Sequence, residues 1–137
     1  MRLGLFEVHN NGVSEILLAV IHGTRTVDRV NTNRSMKIGS HDSEGATVAL
    51  HTLCIHPDHQ ARGLGSKILK EYLGRVRKEK GVQHVALSAH NRLVPFYEPY
   101  ETICSLSNFS VGFVNEGISE TEYTGATWYD SVYTYKK

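Results

Sequence analysis

The chain reads as a mixed α/β (α+β) fold, a mixed β-sheet flanked by helices, and three observations predict it. Short apolar runs of strand length fall on both sides of the middle of the chain, and one long stretch, residues 66–80, carries an unbroken helical stripe. That helix lies between two strand candidates, making a strand–helix–strand unit whose strands should be parallel neighbours with a right-handed crossover. The whole order, β, β, β, α, β, α, β, β, then requires antiparallel strands around that parallel pair.

The elements follow in order. Leu3 to Val8 and Ser14 to His22 are joined through Asn10-Asn11-Gly12, and Asn-Gly is a strong hairpin signal. Residues 23–45 turn polar with no sustained period and read as a long loop. Thr47 to Ile55 is a buried strand, and a regular pleat would put Ala49, His51, Leu53 and Ile55 on one face, an assignment that a bulge would change. The helical stripe comprises Leu64, Ile68, Leu69, Tyr72, Leu73 and Val76, with Glu71 and Arg75 paired on the wet side and Gly81 as the left-handed stop. Val82 to Ala89 is the next strand. Asn91 is placed to cap a short helix through Phe96 and Tyr97, with Pro95 in its first turn and Pro99 ending it. Gly112 to Asn115 and Trp128 to Tyr135 complete the sheet.

Between the third strand and the long helix stands Gln60-Ala61-Arg62-Gly63-Leu64-Gly65. Two glycines without Cβ let the backbone turn tightly and lie close to a ligand. The helix behind them presents unpaired N–H groups and the positive end of its dipole, so the loop predicts an anion site, most naturally for a phosphate. It is not a dinucleotide fingerprint, which needs three glycines, nor a nucleoside-triphosphate loop, which ends in Gly-Lys-Ser/Thr. An ordinary strand-to-helix turn using glycine for geometry is the alternative.

Composition narrows the setting. A chain of 137 residues forms one domain, 1–137, and its formal net charge of +1 makes no electrostatic case for nucleic acid. The longest apolar run, Ile16 to Ile21, is far too short to span a bilayer, and the start lacks a secretory signal's features, so a cytosolic, soluble protein is expected. Cys54 and Cys104 belong to no C-x-x-C motif, and mid-strand Cys54 reads as packing. His51, His56 and His59 at spacings of five and three fit no standard zinc pattern, so no metal is expected.

Three stretches together resemble a known family. His51-Thr52-Leu53-Cys54-Ile55-His56, then Gln60 to Gly65, then Leu93-Val94-Pro95-Phe96-Tyr97, look like the GNAT N-acetyltransferases, and within them the arylalkylamine and polyamine branch. The resemblance runs from Leu3 to Glu98 and resumes at Gly112-Phe113 and Trp128-Tyr129. It implies a GNAT-like fold and direct transfer of acetyl from acetyl-CoA, the cosubstrate, to a small primary amine. On that basis Tyr97 is the general acid for the departing thiolate and His51 accepts the amine's proton. Read as a bare residue, Tyr97 in a short amphipathic helix is core before it is an acid, an order that only the resemblance reverses, and for His51 the alternative is a buried histidine satisfied by a carbonyl.

The resemblance also implies that the backbone of Leu53, Cys54 and Ile55 pairs with the pantetheine arm. The Gln60, Ala61, Arg62, Gly63, Leu64, Gly65 and Ser66 stretch holds the pyrophosphate, and Asn91 and Tyr97 lie near the arm's other end. Ser35, Met36 and His51 face the amine. The chain departs from the family in three ways: Ala49 stands where a second histidine is common, the family's first strand and helices precede Met1's counterpart, and residues 99–111 read as an insertion. These departures favour, as the alternative, a CoA-binding module without turnover. A monomer or homodimer is expected.

Overall fold

The computed structural model describes residues 1–98, 112–121 and 125–136. Six strands among them form one mixed sheet: β1 Arg2–His9, β2 Ser14–Thr26, β3 Thr47–Ile55, β4 His84–His90, β5 Val114–Ile118 and β6 Trp128–Thr134, in spatial order β1-β2-β3-β4-β6-β5. Helix α1, Leu64–Val76, crosses from β3 to β4, and the single turn α2, Val94–Tyr97, follows β4. The element order is the one expected from the sequence. The insertion at residues 99–111, Cys104 within it, and Pro99 as a helix stop lie outside the described residues.

Each element has a local cause. Asn11 and Gly12 take the left-handed conformation that the β1–β2 reversal needs, at φ 55° and 95°. α1 buries Ile68, Leu69, Tyr72, Leu73 and Val76, the expected stripe, against Ile21, Val48, Leu50, Val85 and Leu87 of the central strands. Leu69 is fully buried, and truncation to alanine there removes about 2–5 kcal/mol. The helix stops at Val76, four residues before the expected end, and Gly81 at φ 84° serves the turn beyond it.

β2 runs to Thr26, into the stretch that reads as loop. It can do so because Gly23 has no Cβ: one placed there would lie 2.7 Å from the Ala49 carbonyl oxygen and 2.8 Å from the Tyr72 hydroxyl. Opposite this point the register steps from His22 facing Thr52 to Gly23 facing Leu50, so His51 is the extra residue of a β-bulge. The bulge reverses the alternation. Val48, Leu50, Leu53 and Ile55 all belong to the core under α1, and His51 turns to the opposite side, where its Nε2 meets Thr24 Oγ1 on β2. The regular-pleat face of Ala49, His51, Leu53 and Ile55 is therefore corrected.

The segment between β2 and β3 lies over that second side of the sheet: Asn31 Nδ2 donates to the Leu50 carbonyl, and the Thr24 hydroxyl reaches the Ser35 carbonyl. β3 and β4 pair only between Thr47–Ala49 and His84–Ala86. Beyond Ala49 the two parallel strands separate, and the sheet opens a cleft at its centre.

Candidate active site

The cleft, about 790 Å³, opens where β3 and β4 part. Its walls are the end of β3 (Leu53, Cys54, Ile55), Gln60, Ala61 and Gly63 of the loop, the first residues of α1 (Leu64, Gly65, Ser66), and Phe96 and Tyr97 of α2. Ten of the twelve residues expected around the cosubstrate thus share one cavity. The exceptions are Asn91, which borders a separate shallow depression with Ala126 and Thr127, and Arg62, whose guanidinium turns to His59 Nδ1 at 2.6 Å. Asn91 is also not a cap: it opens a 3-10 turn, Asn91–Leu93, that leads into α2, the residues at the two capping positions are His90 and Leu93, and neither makes a side-chain capping bond. Cys54 is exposed on the cleft wall rather than packed.

The start of α1 leaves main-chain donors open. Gly63 occupies the capping position at φ 74° with no side-chain cap, and the first intrahelical bond runs from Lys67 N–H to the Gly63 carbonyl. The amides of Leu64, Gly65 and Ser66 therefore have no intrahelical acceptor. No acidic residue stands in the first turn to answer the dipole. Ala61 also takes the left-handed conformation, at φ 57°, which for a residue with a Cβ costs on the order of 1 kcal/mol or more. A Cβ on Gly65 would come within 3.3 Å of the Phe96 ring, so glycine keeps the two walls close.

Tyr97 closes the inner end. Its ring stands edge-on to Phe96 and Phe113, and its carbonyl accepts the Phe113 N–H at 3.1 Å. Burial, with a smaller contribution from nearby Cys54, pushes the phenol up to about 12. Its hydroxyl is therefore protonated at neutral pH and has no hydrogen-bond partner among the described residues.

The histidine side is organised differently. His51 does not border the cleft among the described residues. Its Nε2 lies 2.9 Å from Thr24 Oγ1, and His22 stands edge-on to it with ring centroids 5.3 Å apart. Burial, then His22, lowers its pKa, with the Ser35 carbonyl acting in the opposite sense, so the imidazole is neutral near pH 7. The Ser35 hydroxyl is occupied, donating to the Thr32 carbonyl and accepting its N–H, and Ser35 is buried. Met36 is half-buried beside it, also outside the cleft wall. His22 and Thr24 were not singled out by the sequence. The available signal was Gly23, whose missing Cβ allows the bulge that brings both against His51.

His56 Nδ1 accepts the Asp58 N–H and caps the turn Pro57–His59. Among the described residues no three His, Cys, Asp or Glu side chains converge as metal ligands. No described helix is long and apolar enough to cross a membrane.

Residues 32–124 match the family described as Acetyltransferase (GNAT) domain. Serotonin N-acetyltransferase of Homo sapiens and that of Pan troglodytes are each 35% identical to this chain over 60 residues, 44% of its length. The match covers only 29% of the length of these relatives. Among solved structures, the GphF GNAT-like decarboxylase in complex with isobutyryl-CoA superposes with a TM-score of 0.65 over 93% of this chain and 75% of its own. At 17% identity that likeness speaks for the fold alone.

Proposed function

The chain belongs to the GNAT acetyltransferase family, and from that premise we propose that it binds acetyl-CoA and transfers the acetyl group to a small primary amine, an arylalkylamine or a polyamine. The observation that carries the reading is the uncapped start of α1 opening into a cleft that ends at the protonated Tyr97 hydroxyl. The residues present fit the cosubstrate: three free amides for the diphosphate, and a strand edge on β3, released from β4 after Ala49, for the pantetheine amides. Leu53 and Ile55 offer apolar contact along the arm.

Acetyl-CoA supplies the thioester. In the proposed reaction the neutral amine nitrogen bonds to the thioester carbonyl carbon, the carbon–sulfur bond breaks, the leaving sulfur takes a proton from Tyr97, and the resulting tyrosinate is restored by the proton that the acetylated nitrogen sheds as it becomes a neutral amide. An alkylamine near pKa 10.4 must first lose its proton, which costs about 4 kcal/mol near neutral pH. Neutral His51 is the proposed acceptor of that proton, held in place by Thr24. The chain is proposed as one domain, in which the Phe113 N–H bonds the Tyr97 carbonyl across the chain.

The second reading, a CoA-binding module without turnover, draws on the separation of His51 and Ser35 from the cleft wall. One experiment divides the two: release of CoA thiol from acetyl-CoA in the presence of tryptamine or spermine. Amine-dependent release is expected. Acetyl-CoA binding, seen as a raised melting temperature, without release for either amine would establish the second reading.

A further inference from the structure

On the same side of the sheet as His51 lies a second cavity, about 470 Å³, between the segment after β2 and the β5–β6 edge. Its wall includes Asn31, Arg34, Glu116, Glu120, Thr121 and Asp130. Asp130 sits on β6 next to the centre of the sheet and is only 6% exposed. Its Oδ1 accepts the Ser88 hydroxyl at 2.6 Å, and no cation pairs with it among the described residues. The residues outside that description add one cationic side chain, Lys137 at the end of the chain. A buried carboxylate with only a neutral donor is costly, since ions taken from water must be compensated by a counter-charge.

A second group points the same way. Asn31, 2% exposed, is anchored by Nδ2 to the Leu50 carbonyl, and the other end of that amide, Oδ1, is buried with no hydrogen-bond partner among the described residues. An unsatisfied amide acceptor and an uncompensated carboxylate in the wall of one cavity both lack a hydrogen-bond donor, and an ammonium group would supply that donor together with the counter-charge the carboxylate needs. β5 reinforces the arrangement: its register steps from Asn115 facing Ser131 to Gly117 facing Asp130, so Glu116 is the extra residue of a bulge beside Asp130. The two arginines nearby are spent, Arg29 on Glu116 and Arg34 on Asp28, each at 2.6 Å, while Glu120 has no cationic partner among the described residues. Asn31 also holds the carbonyl of Leu50, the residue before His51 on β3, so the cavity wall is anchored to the strand that carries His51.

We propose that this cavity binds the second ammonium group of an acceptor that carries two or more amines, one acetylated and another held by Asp130, Asn31 and Glu120. The proposal rests on the amine-acetyltransferase reading above and selects the polyamine class within it. A monoamine such as tryptamine leaves Asp130 uncompensated.

The test is calorimetric titration of the whole chain with spermidine, for wild type and Asp130→Asn, alongside melting temperatures and CoA release. Wild type is expected to bind spermidine, and Asp130→Asn to bind it at least about 10-fold more weakly. The asparagine variant should melt at the same or a higher temperature, since an isolated buried charge has been removed; a merely structural Asp130 would lower it. Should Asp130→Asn fail to fold, exposed Glu120→Gln provides the comparison, with affinity expected to fall by a few-fold. Spermidine binding that is absent, or unaltered in the variant that folds, overturns the proposal. Binding that depends on these residues while no amine releases CoA leaves the cation site standing and sinks the acetyl-transfer reading.

Discussion

The cleft beside α1 and the histidine face behind β3 are assembled from opposite kinds of contact. In the cleft the groups offered to a ligand are main-chain amides and a phenol that nothing else in the described molecule engages. Behind β3 the polar groups already satisfy one another: His51 with Thr24, Thr24 with Ser35, Ser35 with Thr32. A site whose donors are unspent is preorganised for its ligand, whereas one with an internal network must exchange bonds before a substrate can enter it. On the proposed reading, the difference teaches that cosubstrate binding would be written into the fold, whereas proton removal from an amine would require a rearrangement around His51.

Substitutions can break or sharpen this contrast. The largest effect is expected at Tyr97→Phe, which keeps the ring packing on Phe113 but removes the donor: kcat should fall about 100-fold or more while acetyl-CoA affinity stays within about two-fold, as measured by steady-state kinetics and titration. Gly65→Asp comes next, since it sets a carboxylate among the free amides and a Cβ against Phe96. Acetyl-CoA affinity should drop by about 10-fold or more. Full affinity in Gly65→Asp would mean that the amides are not where the anion sits.

Smaller effects probe the other face. His51, His22 and His84 all have lowered pKa values, with burial the first cause, so the unfolded chain takes up protons before the folded one does. Their contribution is fully present above the unfolded value of about 6.5 and is lost as pH falls from there through the lowered folded values. Melting temperature should therefore decline on acidification below that point, and His51→Gln should make the decline shallower. The smallest expected change is at Ala61→Gly, which relieves the left-handed Cβ and should add under about 1 kcal/mol to denaturant stability.

How much of this was legible follows from what each feature depends on. The strand order and the face of α1 were readable because apolar periods of two and 3.6 are properties of a single segment. The anion loop was readable because Gly63 and Gly65 declare their backbone freedom. The bulge at His51 was not, since it arises only when β3 is laid against Gly23 of β2, and with it went the pairing of His51 to Thr24 and His22. Ala61 gives no hint in sequence of a left-handed backbone that only the turn around it enforces. Cys54 looked like packing because its strand was taken as covered throughout, whereas β4 departs after Ala49. Asp130 lies inside the expected last strand with nothing in the sequence to mark it, and its missing counter-charge is visible only once β4, β5 and the Asn31 segment surround it.

The most direct test of the central claim is a pair of calorimetric titrations, one with acetyl-CoA and one with S-acetylpantetheine, which has the same thioester and arm but no diphosphate. If the amides of Leu64, Gly65 and Ser66 grip the diphosphate, acetyl-CoA binds at least about 30-fold more tightly, roughly 2 kcal/mol. Equal affinity for the two would contradict the account, since the start of α1 would then contribute nothing to holding the cosubstrate.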